Sequence, residues 1–207
     1  FAQGAAAMFG VWVQDKTGER FVDELANRKV RADAIMTLLN EGIHCYAVAD
    51  AKGVEPMGIS RPGLLQKMLE RGCVKQYETL EALAAGEKIN IEGLRKSVEE
   101  WNSAVKSGTD AHFKRYVNKK APPMGTGPWY VSTMVPKVHH CMGGIYTDMQ
   151  ARALDISTDE PIPGLFAAGE ATGGVHGAVR LGSCAVTDCL VYGRIAGRTA
   201  AQNESWM

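Results

Sequence analysis

The sequence predicts an α/β (α+β) fold, and three observations carry that prediction. Short apolar runs, Val11-Trp12-Val13, Ile43 to Ala49 and Gly164 to Ala168, have the alternating or β-branched character of strands. Between them apolar residues recur at three and four positions, above all Ile91, Leu94, Val98, Trp101 and Val105, the period of an amphipathic helix. The last strand runs through Gly169-Glu170 into a glycine-dense loop, residues 173–182, and then into a second apolar run, Cys184 to Ala196.

The elements follow in order. Phe1 to Val13 is small and apolar, and its strand Val11-Trp12-Val13 meets a turn at Asp15-Lys16-Thr17-Gly18, with Arg20-Phe21-Val22 on the return. A helix is predicted over Arg31 to Asn40. Ile43 to Ala49 reads as a strand because Ile43, Cys45 and Ala47 alternate. From Pro56 to Lys88 the pattern is helical and polar, with Leu64, Leu65, Met68 and Leu69 on one face and Gly72 as a stop. Asn90 opens the next helix, which ends near Gly108. The basic stretch Lys114 to Lys120 with Pro122-Pro123 reads as an exposed, solvated linker. Strands return from Trp129 onward, and the chain finishes in a helix containing Asp188 to Ala201.

Composition bounds the function. The chain has 207 residues, 45% hydrophobic and 22% charged, enough for a sizeable core in one or two domains. Its 23 basic and 23 acidic residues cancel, which argues against a general affinity for nucleic acid or anionic membrane. No apolar stretch reaches the roughly eighteen residues of a membrane-spanning helix. The five cysteines (Cys45, Cys73, Cys141, Cys184, Cys189) are scattered and form no Cys-x-x-Cys, so neither a disulfide framework nor a metal site is expected. The absence of Cys-x-x-Cys-His places any covalent haem outside this chain.

The glycine loop is the most informative stretch. Glycines let a backbone approach a ligand without a Cβ in the way, and amides at a following helix N-terminus attract negative charge. One arginine fixed there, Arg180, can grip a carboxylate through two parallel hydrogen bonds.

On five segments the chain resembles the C-terminal half of the flavoprotein subunit of the fumarate reductase and succinate dehydrogenase family, closest to the soluble flavocytochrome c type fumarate reductases and urocanate reductases. The segments are Gly18-Glu19-Arg20-Phe21-Val22-Asp23-Glu24 leading to Arg28, then His139-His140-Cys141-Met142-Gly143-Gly144, then Pro163 to Glu170, the glycine run through Arg180-Leu181-Gly182, and Tyr192-Gly193-Arg194-Ile195-Ala196-Gly197. The resemblance implies FAD as cofactor and hydride transfer to an α,β-unsaturated carboxylate. It implies a cap over residues 13–120, with 1–12 and 121–207 belonging to the FAD-binding domain, whose sheet is mixed. The dinucleotide fingerprint of that domain is missing, so the chain reads as a C-terminal piece.

The same resemblance assigns residues. Arg28 is the expected proton donor, an always-charged side chain that acts as an acid only beside a developing carbanion. His139 and Arg180, with Ser183, are the expected substrate-binding residues. His140, Gly143, Gly144, Gly169, Glu170, Ala185 and Val186 are expected against the cofactor, His140 through backbone more than side chain, and Glu170 on its hydroxyls. The amides of Ala185 and Val186 suit the negative charge that reduced flavin gathers. His176 ranks below these as a loop-packing residue. The partners implied are a small unsaturated acid and an electron donor outside the chain: a haem domain, an FMN domain or another flavoprotein, in anaerobic respiratory electron transport. The bacterial compartment, periplasm or cytoplasm, stays open.

Departures from the family pattern bear on substrate. Lys29 stands where relatives show Asp, Val179 precedes Arg180, and Ser183-Cys184 follow it. Ala2, Gln3 and Ala6 fall where relatives carry Thr, Glu and Arg, so reprotonation of Arg28 is expected through Asp23, Glu24 or water, and one end of the pocket is less polar. Two other readings stand beside the reductase: a non-catalytic fragment that binds no FAD alone, and a flavin dehydrogenase acting on a steroid or amine.

Overall fold

Alternation along the strands decides how the first part of the chain packs. In a computed structural model, which describes residues 1–203, β1 (Val11–Gln14), β2 (Cys45–Asp50), β3 (Lys75–Tyr77) and β4 (Trp129–Met134) form an antiparallel sheet in the order β1-β2-β4-β3. Successive side chains point to opposite faces. Val11, Val13, Tyr46, Val48, Trp129 and Val131 enter one core, whereas Trp12, Cys45, Ala47, Ala49, Tyr130 and Met134 enter another.

Helices close both faces. A π-helical turn, Ala2–Ala6, runs into α1 (Ala7–Phe9), and this segment joins α2 (Arg28–Asn40), α3 (Ala51–Ser60) and α4 (Leu64–Glu70) on the Trp12 side. On the Val11 side lie α5 (Leu80–Glu87) and α6 (Ile91–Ser107), which buries Leu94, Val98 and Trp101. The Asn90 side chain accepts from the amides of Glu92 and Gly93, and Gly108, at φ 75°, ends the helix. Gly93 permits the contact between α6 and the turn after β1, because a Cβ there would stand 1.7 Å from the Thr17 carbonyl oxygen.

Several expected boundaries move for identifiable reasons. The Asn27 side chain accepts from the Val30 amide, so α2 begins at Arg28 rather than Arg31. Residues 20–22 form only an isolated bridge, Val13 to Arg20, because Arg20 is drawn into buried ion pairs. The helical stretch expected from Pro56 to Lys88 is three helices and a strand: α3 starts at Ala51, Gly63 turns at φ 74°, and β3 joins the sheet edge. β2 is buried along its whole length. The basic linker is not solvated throughout, since Arg115, Val117 and Ala121 are all buried. Ala6, expected near a pocket, is wholly buried in the apolar core.

The second part of the chain is built around a short hairpin, β5 (Arg152–Leu154) with β6 (Pro161–Phe166), a few residues earlier than the predicted Gly164 to Ala168 strand. A 3-10 turn, Gly169–Ala171, follows, and after the glycine loop comes α7 (Cys184–Gln202). The chain thus folds as two units, Phe1–Pro136 and Lys137–Met207. These do not coincide with the expected segments 1–12, 13–120 and 121–207, because β4 is hydrogen-bonded in register to both β2 and β3 and so belongs to the first unit. The α+β class holds. Named strands pair antiparallel, and a parallel bridge joins Ile145 to Thr172. No helix among the described residues is long and apolar enough to cross a membrane.

Candidate functional site

The second unit gathers most of the residues singled out by sequence. Its glycines act as spacers: the Ile145 amide donates to the Ala171 carbonyl at 2.8 Å and the Gly173 amide to the Ile145 carbonyl at 3.1 Å. A Cβ on Gly144 would stand 2.3 Å from the Ala171 oxygen, so only glycine allows the two segments to be stitched this closely. Gly169 has φ 71°, and a Cβ there would meet the Cys189 sulfur of α7 at 2.7 Å. Gly143, by contrast, has open space beside it.

Around this stitching lies an array of ionisable groups. Glu170 accepts from the Cys141 amide at 3.0 Å, and its other oxygen stands 3.3 Å from His140 Nδ1. The hydrogen bond from the Cys141 amide, joined by the charge of Arg180, holds the Glu170 carboxyl below the usual carboxylate range against burial. The His140 and His176 rings meet edge to face, centroids 5.3 Å apart, and His176 Nε2 stands 3.2 Å from Asp188 Oδ2 on α7. Arg180 is 6% exposed and donates to its neighbour's Leu181 carbonyl, while its Nε is buried without a partner. His139 is exposed, beside the buried His140 ring.

At the end of the loop Ser183 adopts φ 66°, and its side chain does not cap α7. The first-turn amides of that 19-residue helix, those of Ala185 and Val186 included, are therefore not claimed by a side-chain cap, the arrangement in which a helix start receives negative charge.

Arg28 belongs to the first unit. It is exposed at the first position of α2, and its side chain has no hydrogen bond or ion pair among the described residues. A cation at the positive end of a helix gains nothing from the helix dipole, so local structure supplies no reason for it.

Glu24, expected as a proton relay, is instead a structural anion. One oxygen accepts from the Trp12 amide and Arg20 Nε, the other from Arg20 Nη2, and it forms an ion pair with Arg115 at 3.0 Å. Both oxygens are fully engaged and the side chain is wholly buried. Asp23 uses its carboxylate on the Leu25 amide.

Sequence reasoning missed Asp188 as a site residue, although a signal existed: it is a single carboxylate within the apolar run Cys184 to Tyr192. It is the one buried residue of α7. The His176 ring meets both His140 and Asp188, contacts that no local sequence pattern shows. No group of metal-ligating side chains occurs among the described residues.

The array suits a polar ligand that carries both hydrogen-bond donors and acceptors. His140 Nε2, Arg180 Nε and Asp188 Oδ1 are buried without protein partners, and such atoms are costly unless something pairs with them. Uncapped helix amides and open space at Gly143, Gly174 and Gly177 add room and positive potential. An FAD isoalloxazine with its ribityl hydroxyls fits that donor and acceptor set.

Comparison with known proteins agrees. Residues 1–186 match the family model of the FAD binding domain. Urocanate reductase of Eggerthella lenta is 38% identical over 191 residues, covering 90% of this chain and 30% of that protein. The chain superposes on the open conformation of a flavocytochrome c3 fumarate reductase with TM-score 0.70 and 33% identity, over 98% of this chain and 34% of that one. A 3-ketosteroid delta1-dehydrogenase from Sterolibacterium denitrificans gives TM-score 0.75 at 25% identity, over 96% of this chain and 40% of the other. The chain thus spans between 18% and 36% of the length of curated relatives it matches.

Proposed function

The chain belongs to the FAD-binding domain family, and from that premise we propose that the protein carrying it reduces the carbon–carbon double bond of an α,β-unsaturated carboxylate of the urocanate, acrylate, cinnamate or fumarate type. The observation that carries the reading is Arg180: a guanidinium buried inside a glycine loop, with Nε unpartnered, has the charge and geometry for a carboxylate. A steroid ketone offers no anion for that charge. The likeness in fold to the ketosteroid dehydrogenase is therefore the weaker guide to substrate.

In this reading bound FAD supplies hydride chemistry. Arg180 and His139 hold the substrate carboxylate, with Ser183 beside them, and so withdraw electron density from the double bond. The backbone of Gly143, Gly144 and Gly169, the Glu170 carboxylate and the α7 amides of Ala185 and Val186 hold the cofactor. Arg28 gives the proton at the carbon next to the carboxylate, and no local partner competes for its donors. Residues 13–120 serve as the capping domain, whose role is to exclude water during hydride transfer. An electron donor, whether haem, FMN or flavoprotein, completes the respiratory reaction.

Arg28→Ala in the flavin-loaded protein tests the assignment. Reduction of the double bond with a reduced dye as donor should fall by roughly two to four powers of ten, the range for a lost acid and electrophile. The visible flavin band should stay unchanged. Full activity in that variant would move the acid role elsewhere.

A further inference from the structure

His176 and Asp188 have no part in the mechanism above, yet they form the best-buried ion pair among the described residues of the second unit. Asp188 is 3% exposed at its side chain and His176 13%. A carboxylate on a helix whose other described residues stay at least partly exposed needs a reason to be buried, and its Oδ2 has one in His176 Nε2. His176 in turn meets the His140 ring at an interplanar angle of 72°. On the far side of His140 stands Glu170, at Nδ1. Two imidazoles are thus bracketed by two carboxylates, in the order Glu170, His140, His176, Asp188.

We infer that His176 and Asp188 are positioning residues that fix the plane of the His140 ring, so that His140 Nε2 becomes a hydrogen-bond acceptor for an N–H or O–H of the bound flavin. The inference rests on the flavin reading of this site. An ionised carboxylate only accepts, so Asp188 places a proton on His176 Nε2, and Glu170, 3.3 Å from His140 Nδ1, favours the His140 proton on that nitrogen. A neutral His140 with its proton on Nδ1 keeps a lone pair at Nε2. That atom is buried and unpartnered, and the His140 side chain is 4% exposed. Edge-to-face contact holds the ring from behind and stops it turning away. His140 accordingly acts through its side chain, where the sequence resemblance implies backbone more than side chain.

The test uses Asp188→Asn and, should that variant fail to fold, His176→Gln. Two readouts are taken: FAD affinity of the flavin-stripped protein, and histidine ring 15N shifts with and without FAD. In the unsubstituted protein His140 should carry its proton on Nδ1, and FAD should move the Nε2 signal. Either variant should weaken FAD binding about threefold to tenfold, the range of an aromatic pair contact, and shrink that movement. The double variant should cost no more than the larger single change, because the pair acts as one unit. Wild-type FAD affinity together with unshifted His140 signals in both variants would overturn the inference. If the unsubstituted protein binds no FAD, the flavin reading fails separately. The flavin-free spectra still decide the positioning: loss of the single His140 tautomer in the variants supports it, and persistence refutes it.

Discussion

Glu24→Gln is the substitution whose cost the structure sets most directly. Glu24 is wholly buried and accepts three hydrogen bonds, at 3.1 Å from the Trp12 amide and 2.8 and 2.7 Å from Arg20, and pairs with the Arg115 guanidinium at 3.0 Å. Arg20 also reaches Asp110 at 2.8 Å, so two guanidiniums and two carboxylates form one buried, electrically balanced group. Arg115 lies 3.8 Å from the Trp101 ring centroid and donates to the Gly10 carbonyl, which ties the group to α6 and to the start of β1. Glutamine keeps the shape but leaves a net positive charge and turns an amide donor toward guanidinium donors. Breaking one partner of a buried ion pair costs about 3–5 kcal/mol. At about 2–4 °C per kcal/mol for a chain of this size, the melting transition of the first unit should fall by roughly 6–20 °C. Far-ultraviolet circular dichroism during heating, with urea unfolding for the free energy, reads the change. A loss below about 1 kcal/mol would refute the reasoning, since it would mean that the group is solvated or rearranges freely. Acid should act in the same direction. Burial works to raise the Asp110 carboxyl, but the Arg20 guanidinium outweighs it and holds the group low, so its stabilisation is present above the unfolded value, near pH 4, and lost as pH falls through the folded one.

Three further outcomes are expected. Arg180→Lys should raise the Michaelis constant for the acid and not restore binding lost in Arg180→Ala, because a point charge cannot make a two-pronged contact; unchanged Michaelis constants in steady-state assays would exclude Arg180 from substrate binding. Burial, with Asp15 adding, pushes the Cys45 thiol up to about 12, so a thiol reagent at pH 8 should modify exposed Cys73 and spare Cys45 in the folded protein, as mass spectrometry of the labelled peptides will show. With Ala2 and Gln3 offering no cation for a second carboxylate, monocarboxylates with an apolar or aromatic β-substituent should be reduced in preference to fumarate; a panel of acids assayed with reduced methyl viologen decides this, and a preference for fumarate contradicts it.

Much of the fold was legible because its signals are local. α6 announced itself through a helical period and both caps, and β1 through three apolar residues before a turn, so these were placed within a residue or two. β3 escaped because three residues at a sheet edge carry no period, and only pairing with β4 makes them a strand. The Lys114 to Lys120 stretch misled for a related reason: charge in sequence reads as solvent exposure, whereas Arg115 is buried because a carboxylate ninety-one positions earlier, Glu24, waits for it.

The sequence by itself determined the residue types of the site, the glycines that let backbone segments meet, and the membership of a flavin-binding family. These depend on which side chains are present and on spacings of a few residues. Only the tertiary structure decided what each charge does. Glu24 was turned from a candidate relay into a buried anchor by partners distant in the chain, and Asp188 from one acidic letter in an apolar helix into the end of a four-residue array. The physical reason is that a charge takes its role from its surroundings: low dielectric, fixed partners and lost water are properties of the folded neighbourhood, and no local pattern encodes them.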